Sequence, residues 1–318
     1  MGKENLSQAE DLTIAENTCT HEAFPMINLS GGAIANYKPR HYDIKRGIYE
    51  FFNRGGGFRI SALLVDFHFF IWKVRWPGAT FADYYSGAIA GSLKRGGTHK
   101  TLGDKKFLSG SLHSTAVQQD TVGHAARGIE SFDVAIMHGL QPNHVCVDYG
   151  CGSLRVGQHL MNYLKPGNFW GLDIVDDFYE AGKRMLPAGL MDQKQPELHR
   201  IDSQRSRAAK LAEPDFIVSF AVLKHVPPAE LRAYFKNIIS MMGPRTQVII
   251  TFNQGSRTLR TGGAIWDYCS EDIIDCIQDI DHALECKFSP FSTTEKDLAP
   301  PCKSILLIER TRILGTFG

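Results

Sequence analysis

Three things are scarce in this sequence of 318 residues, and each scarcity narrows the reading. Net charge is one: 35 Lys and Arg stand against 34 Asp and Glu, a formal +1, so the chain as a whole has no reason to be drawn to nucleic acid. Paired cysteines are another. The seven, Cys19, Cys146, Cys151, Cys269, Cys276, Cys286 and Cys302, are odd in number and show no CxxC spacing, which suggests neither a disulfide framework nor a zinc site. Long hydrophobic runs are the third: the longest, Ile60 to Trp72, is interrupted by Asp66 and His68 and is too short to span roughly 30 Å of hydrocarbon. The polar stretch from Met1 to Thr20 lacks the charged-then-apolar order of a secretory signal. A cytoplasmic, reducing location is expected, with contact at a membrane surface left open.

What is present is the balance of a globular chain, 43% hydrophobic and 22% charged. The charge is uneven. Between Lys38 and Lys106 thirteen Lys or Arg meet five acids, an excess of eight that suits a phosphate-bearing substrate or a lipid face as well as a solvated basic surface. Residues 1–39 are polar and weakly patterned and read as a flexible N-terminal arm. Residues 40–120, broken at Gly55–Gly57 and at Gly96 and Gly97, read as a helical cap that binds substrate. Within it Ile60, Leu63, Leu64, Phe67, Phe70, Ile71 and Val74 share one helix face, while Phe69 and Trp72 add apolar area elsewhere. The expectation for that face is burial against the body; a membrane-surface helix at 60–75 and a homo-oligomer contact are the other readings.

From about Thr121 to the end the pattern alternates between helices and short apolar strands. Helix-like sequence at Gly123–Gly139 leads into VCVDYG as the first strand. FWGLDI, ELHRI, DFIVSFAVL and QVIITF follow, with ALECKFS and SILLIER closing the set. The expectation is an α/β, Rossmann-like, seven-stranded sheet with helices on both faces under an N-terminal helical covering region.

The segment Val145–Gly157, VCVDYGCGSLRVG, puts a carboxylate and two close glycines at the end of the first buried strand. Gly150 and Gly152 can adopt backbone angles closed to other residues and let the main chain approach a ligand. The next helix would offer free N–H groups to the same crevice, outside the carboxyl ends of the strands. Asp173, in GLDI about twenty residues on, stands where a carboxylate can accept hydrogen bonds from ribose hydroxyls. A dinucleotide fingerprint needs a third glycine where Arg155 stands, which disfavours nicotinamide. Asp148, two residues before Gly150, would crowd a pyrophosphate and suit a positive amino group, such as that of S-adenosylmethionine.

VCVDYGCG, GLDI and PDFIVSFAVLKHV together resemble the first, second and fourth-strand motifs of the class I S-adenosylmethionine-dependent methyltransferases; the likeness covers roughly Gly123 to Arg312, within a cofactor-binding domain expected at residues 121–318. The resemblance implies that Asp148, Gly150 and Gly152 hold the methionine end of the cofactor, Asp173 the ribose and Asp202 the adenine; Cys151, Ile174 and Ser219 are further candidate cofactor contacts, and Arg155 is a candidate partner of the cofactor carboxylate or a substrate phosphate, with a solvated side chain the other reading. Leu154 departs from the family pattern, which often has a glycine there.

Methyl transfer from a sulfonium is mainly a matter of positioning, and a base is needed only when the acceptor must lose a proton. His225, in LKHVPP, is the candidate base. Asn253, after the fifth strand, is a candidate contact to the acceptor. No metal follows from this scheme. Phe81, Tyr84, Tyr85 and Trp76 with Lys94, Arg95 and His99 are candidate pocket walls. The expected acceptor is a small molecule, sugar or lipid-linked glycan carrying a hydroxyl, with no nucleic acid partner. A non-catalytic cofactor-binding protein, a nucleic-acid methyltransferase and an oxidoreductase are the competing readings.

Overall fold

In a computed structural model the chain is described over residues 57–94, 128–291 and 302–311. The arm at 1–39, the side chain of Lys94, and Arg95 and His99 lie outside the described residues. Two covering helices come first, α1 (Gly57–Arg75) and α2 (Phe81–Lys94). Helix α3 spans 128–137. The strands that follow are β1 (Cys146–Tyr149), β2 (Phe169–Asp173), β3 (Glu197–Arg200), β4 (Phe216–Ser219), β5 (Gln247–Gln254), β6 (Leu259–Gly262), β7 (Ile265–Asp267), β8 (Leu284–Pro290) and β9 (Cys302–Arg310). Between them lie α4 (Gly157–Tyr163), α5 (Asp176–Lys183), α6 (Leu190–Lys194), α7 (Ser203–Leu211), α8 (Leu231–Met241) and α9 (Ser270–Gln278).

Seven strands form one sheet in the order β3-β2-β1-β4-β5-β9-β8. The first five are parallel, and β9 runs antiparallel to both β5 and β8. The order 3-2-1-4-5 reverses direction between β1 and β4, which makes the ends of those two strands a topological switch point. This is the Rossmann-like sheet expected from the alternation of elements.

Side-chain period 2 along the strands separates two cores. Val147 and Tyr149 of β1 face one core with Phe235 and Ile238 of α8 and Ile273 and Ile277 of α9. Cys146 faces the other, with Val134 and Ala135 of α3 and Leu160 of α4. Helix α8 buries Leu231, Tyr234, Phe235, Ile238, Ile239 and Met241, the three-four spacing of one helix face. Truncating a side chain such as Phe235, fully buried there, costs about 3–5 kcal/mol.

Four differences from the sequence reading have physical causes. The fourth strand stops at Ser219 because Ala221 takes a left-handed φ of 61°, which no strand sustains. The fifth continues to Gln254, so Asn253 lies within the strand and not after it. An antiparallel hairpin, β6–β7, stands in the sequence TGGAIW, where the Gly262–Gly263 pair is a turn signal that went unread. Helix α7 was also missed, and it starts on a side-chain cap from Asp202.

The largest difference concerns α1. The face expected to pack is the exposed one: Leu63, Leu64, Phe67, Phe70, Ile71 and Val74 are all open to solvent. Val65 and Phe69 pack on the core instead, and Trp72 packs on Tyr84 and Trp76. Both faces of this helix are apolar, so periodicity alone cannot say which turns inward.

Candidate functional site

The loop after β1 is built from left-handed residues: Gly150 at φ 89°, Gly152 at 54° and Leu154 at 61°. Leu154 stands where the resembled family often has glycine; it adopts the angle glycine would, and its side chain is fully buried in the α3–α4 core. The bend is tied to the neighbouring strand, since Gly150 N and Cys151 N both donate to Leu172 O, at 2.6 and 3.1 Å. The two glycines serve different ends. A Cβ on Gly150 would lie 2.3 Å from Val222 Cγ2, whereas one on Gly152 would meet nothing nearer than Gly150 O at 4.0 Å. Gly150 therefore lets the loops after β1 and β4 touch, and Gly152 borders open space that a ligand can enter.

Two buried carboxylates flank this bend. Asp173 accepts from Gly152 N through Oδ2 and from Val175 N through Oδ1, both at 2.8 Å. Burial pushes its carboxyl up to about 6 even though these backbone bonds pull it down. Asp148 is 2% exposed and makes no hydrogen bond or ion pair with the described residues. Burial and the charge of Asp173 push it up to about 7. A buried carboxylate without a partner is costly, and a cation placed beside it would bring it back toward the ordinary range.

The cap lies directly over this crevice. Ser86 of α2 donates to Ile174 O at 2.9 Å, and Ile89 packs on Val175 and Phe178. Tyr85 stacks on His225 with ring centroids 5.5 Å apart and planes 22° apart; burial and the charge of Asp173 raise its phenol to about 12. The N-terminus of α2 is capped from 148 residues away, with the Glu230 carboxylate accepting from Phe81 N and, at 3.2 Å, from Ala82 N. Phe81 meets Trp266 of the hairpin edge-on at 5.3 Å. Tyr85 stood among the candidate pocket walls; Ser86 and Glu230 carried no motif, because their roles depend on contacts distant in sequence.

His225 ends a short 3₁₀ turn, Leu223–His225, after β4. Its Nδ1 lies 2.8 Å from Ala264 O. A carbonyl only accepts, so Nδ1 carries the proton of the neutral ring and Nε2 is the basic nitrogen.

The other candidates are placed differently. The Cys151 thiol is buried in the α3–α4 core, and burial raises its pKa well above the usual thiol range. Ser219 is fully buried, donating to Tyr149 O at 2.7 Å and accepting from Tyr234 Oη at 2.8 Å, so its hydroxyl faces the core and not a ligand. Asp202 accepts from Arg205 N at 2.7 Å as the cap of α7. The Asn253 amide donates to Asp267 Oδ1 at 3.2 Å, which fastens β5 to the hairpin. Arg155 follows the glycine bend, and its carbonyl accepts from the Gln158 amide at 3.1 Å. Helix α4 begins at the buried Gly157, and in its first turn Gln158 N donates to Leu154 O and His159 N to Val156 O, both at 2.9 Å. Asp148, Gly150, Gly152, Asp173 and Ile174 thus form one group, joined to His225 through the Gly150–Val222 contact and the Tyr85 stack.

Beyond Asp173, a cavity of about 640 Å³ opens between the cap and the ends of β2 and β3, lined among others by Trp72, Trp76, Asp83, Asp176 and Arg200. That volume is within the range of small-ligand sites.

No family model matches the chain, and no curated protein matches it. Among solved structures, the chain is similar to magnesium protoporphyrin IX methyltransferase (ChlM) from Synechocystis PCC 6803 with bound SAM, at 18% identity and a TM-score of 0.47, over 72% of this chain and 94% of that one. It is also similar to a S-adenosylmethionine-dependent methyltransferase from Clostridium acetobutylicum ATCC 824, at 12% identity and 0.42, over 58% and 91%. A third is the methyltransferase domain of bacterial-CtHen1-C, at 15% and 0.44, over 59% and 100%. These likenesses concern the path of the chain. The chemistry rests on the site itself.

Proposed function

We propose that the chain is an S-adenosylmethionine-dependent methyltransferase that acts on a hydroxyl of a small molecule, sugar or lipid-linked glycan. The observation that carries this reading is Asp148: a buried carboxylate with no partner among the described residues, just before a glycine bend where a Cβ on Gly152 would meet nothing nearer than Gly150 O at 4.0 Å. A ligand bringing an ammonium to Asp148 satisfies a charge that the fold alone leaves unsatisfied. A dinucleotide diphosphate would bring a second negative charge to the same place.

The residues fit such a cofactor in sequence. Asp148 would hold the amino group of the methionine end, and Gly152 would let the backbone approach it. Asp173 has both oxygens bonded to backbone N–H groups, yet a carboxylate has about four acceptor positions, so it would still receive ribose hydroxyls. The tryptophan-walled cavity beyond it suits a flat ring. When bound, the cofactor would supply a methyl group on a sulfonium that already carries its own leaving group. His225 would take the proton of the acceptor hydroxyl on Nε2, and Tyr85, stacked on its ring, would fix its plane. The Ala264 carbonyl, bonded to Nδ1–H, would stabilise the imidazolium formed.

The test is titration calorimetry with S-adenosylmethionine and with NAD, followed by transfer of labelled methyl to hydroxylated metabolites and glycans. Binding of the first and not of the second is expected. With an accepted substrate, His225→Ala should lower kcat by about 10²–10⁴-fold while cofactor affinity stays within about twofold. Preference for NAD would overturn the cofactor assignment, and an unchanged kcat would remove His225 as base.

A further inference from the structure

Helix α1 is apolar on two faces, and the described residues cover one of them. Val65 and Phe69 reach the core beneath the cap. On the opposite side Leu63, Leu64, Phe67, Phe70, Ile71 and Val74 are 48–66% exposed. Single exposed apolar side chains are ordinary; a stripe of six is not.

The charges around the stripe limit what can cover it. Lys73 and Arg75, both exposed, stand in its last turn. Just beyond, Trp76 is 45% exposed, with the Arg75 guanidinium 4.9 Å from its ring centroid. Asp66, the acid of this helix, is paired with Arg260 at 2.7 Å. A second copy meeting this face symmetrically would set cations of both partners beside apolar side chains, with no carboxylate on the stripe to receive them. A bilayer with anionic headgroups meets both features together: the acyl boundary takes the apolar stripe and the headgroups take the cations.

We infer that α1 is a membrane-surface anchor that lays its Leu63–Val74 stripe into the headgroup layer of an anionic bilayer. The helix does not cross it: among the described residues no helix is long and apolar enough to span a membrane. Because α1 packs beside α2 and α2 covers the crevice, this seating brings the cap to the level of the lipid surface. The inference stands independently of the cofactor assignment.

Sedimentation of the full chain with vesicles tests it, using phosphatidylcholine alone and phosphatidylcholine with added phosphatidylserine. The wild type should bind the mixed vesicles and weaken as salt is raised. The double variant Phe67→Ser, Phe70→Ser should bind about tenfold less or weaker still, with unchanged thermal unfolding because both side chains are exposed. The Lys73→Gln, Arg75→Gln variant should lose the preference for phosphatidylserine, which keeps the test decisive should the stripe variant fold poorly. Absence of wild-type binding to either vesicle, or undiminished binding by the stripe variant, would overturn the inference. So would a stripe-dependent dimer in sedimentation velocity with no vesicle binding.

Discussion

The ends of β1 and β2 carry the same side chain in opposite circumstances. Asp173 is buried and holds two backbone N–H groups, one from the glycine bend and one from its own turn. Asp148 is buried to the same degree and holds nothing among the described residues. One carboxylate is a structural clamp that a ligand would share, and the other is a charge that the folded chain carries at a cost. Function is read more safely from the second, because a group that costs stability needs a reason outside the fold.

One substitution made at both positions sharpens this contrast. Asp173→Asn turns one acceptor oxygen into a donor that faces Gly152 N or Val175 N, leaving a buried N–H without an acceptor. A loss of at most about 2 kcal/mol follows, a fall in Tm of up to roughly 4–8 °C for a domain of this size, read by scanning calorimetry at pH 8, where removal of a buried charge with its carboxyl raised to about 6 offsets part of it. The smaller effect has the opposite sign. Asp148→Asn breaks no hydrogen bond among the described residues and removes a buried charge, so Tm at pH 8 should rise by about 2–4 °C while affinity for S-adenosylmethionine falls.

The pH dependence of that gain follows from linkage. With Asp148 raised to about 7 in the fold, the folded chain keeps a proton that the unfolded chain loses near pH 4. Wild-type stability is therefore lost as pH rises from about 4 to 7. The advantage of Asn at 148 should be full at pH 8 and vanish near pH 4. Destabilisation at pH 8 would mean that Asp148 has a partner in the fold and would dissolve the contrast.

The parallel part of the sheet and the glycine bend were legible in the sequence because both rest on local rules. Apolar runs set off by turns give β1, β2, β4 and β5, and a glycine pair after VCVDY leaves few backbone paths. The site read less evenly. Asp148, Gly152 and Asp173 stand together at the ends of β1 and β2, while Ser219 and Asp202, named through the family resemblance, and Asn253, named by its place after the fifth strand, each have a partner in the fold that no motif reveals. Ser219 is used by Tyr149 and Tyr234, Asp202 by its own helix and Asn253 by the hairpin. The cap was the least legible region. Its docking depends on Glu230 and Trp266, far along the chain, and its first helix offers two apolar faces of which composition cannot choose one.

The most direct test of the Asp148 assignment is proton release on binding S-adenosylmethionine, measured at pH 6 by calorimetry in two buffers of different ionisation heat. The wild type should release about one proton more than Asp148→Asn, because a carboxyl near 7 ionises as it takes up the ammonium. Equal release by the two proteins would show that this carboxylate does not receive the cofactor, and the assignment of the site would fall with it.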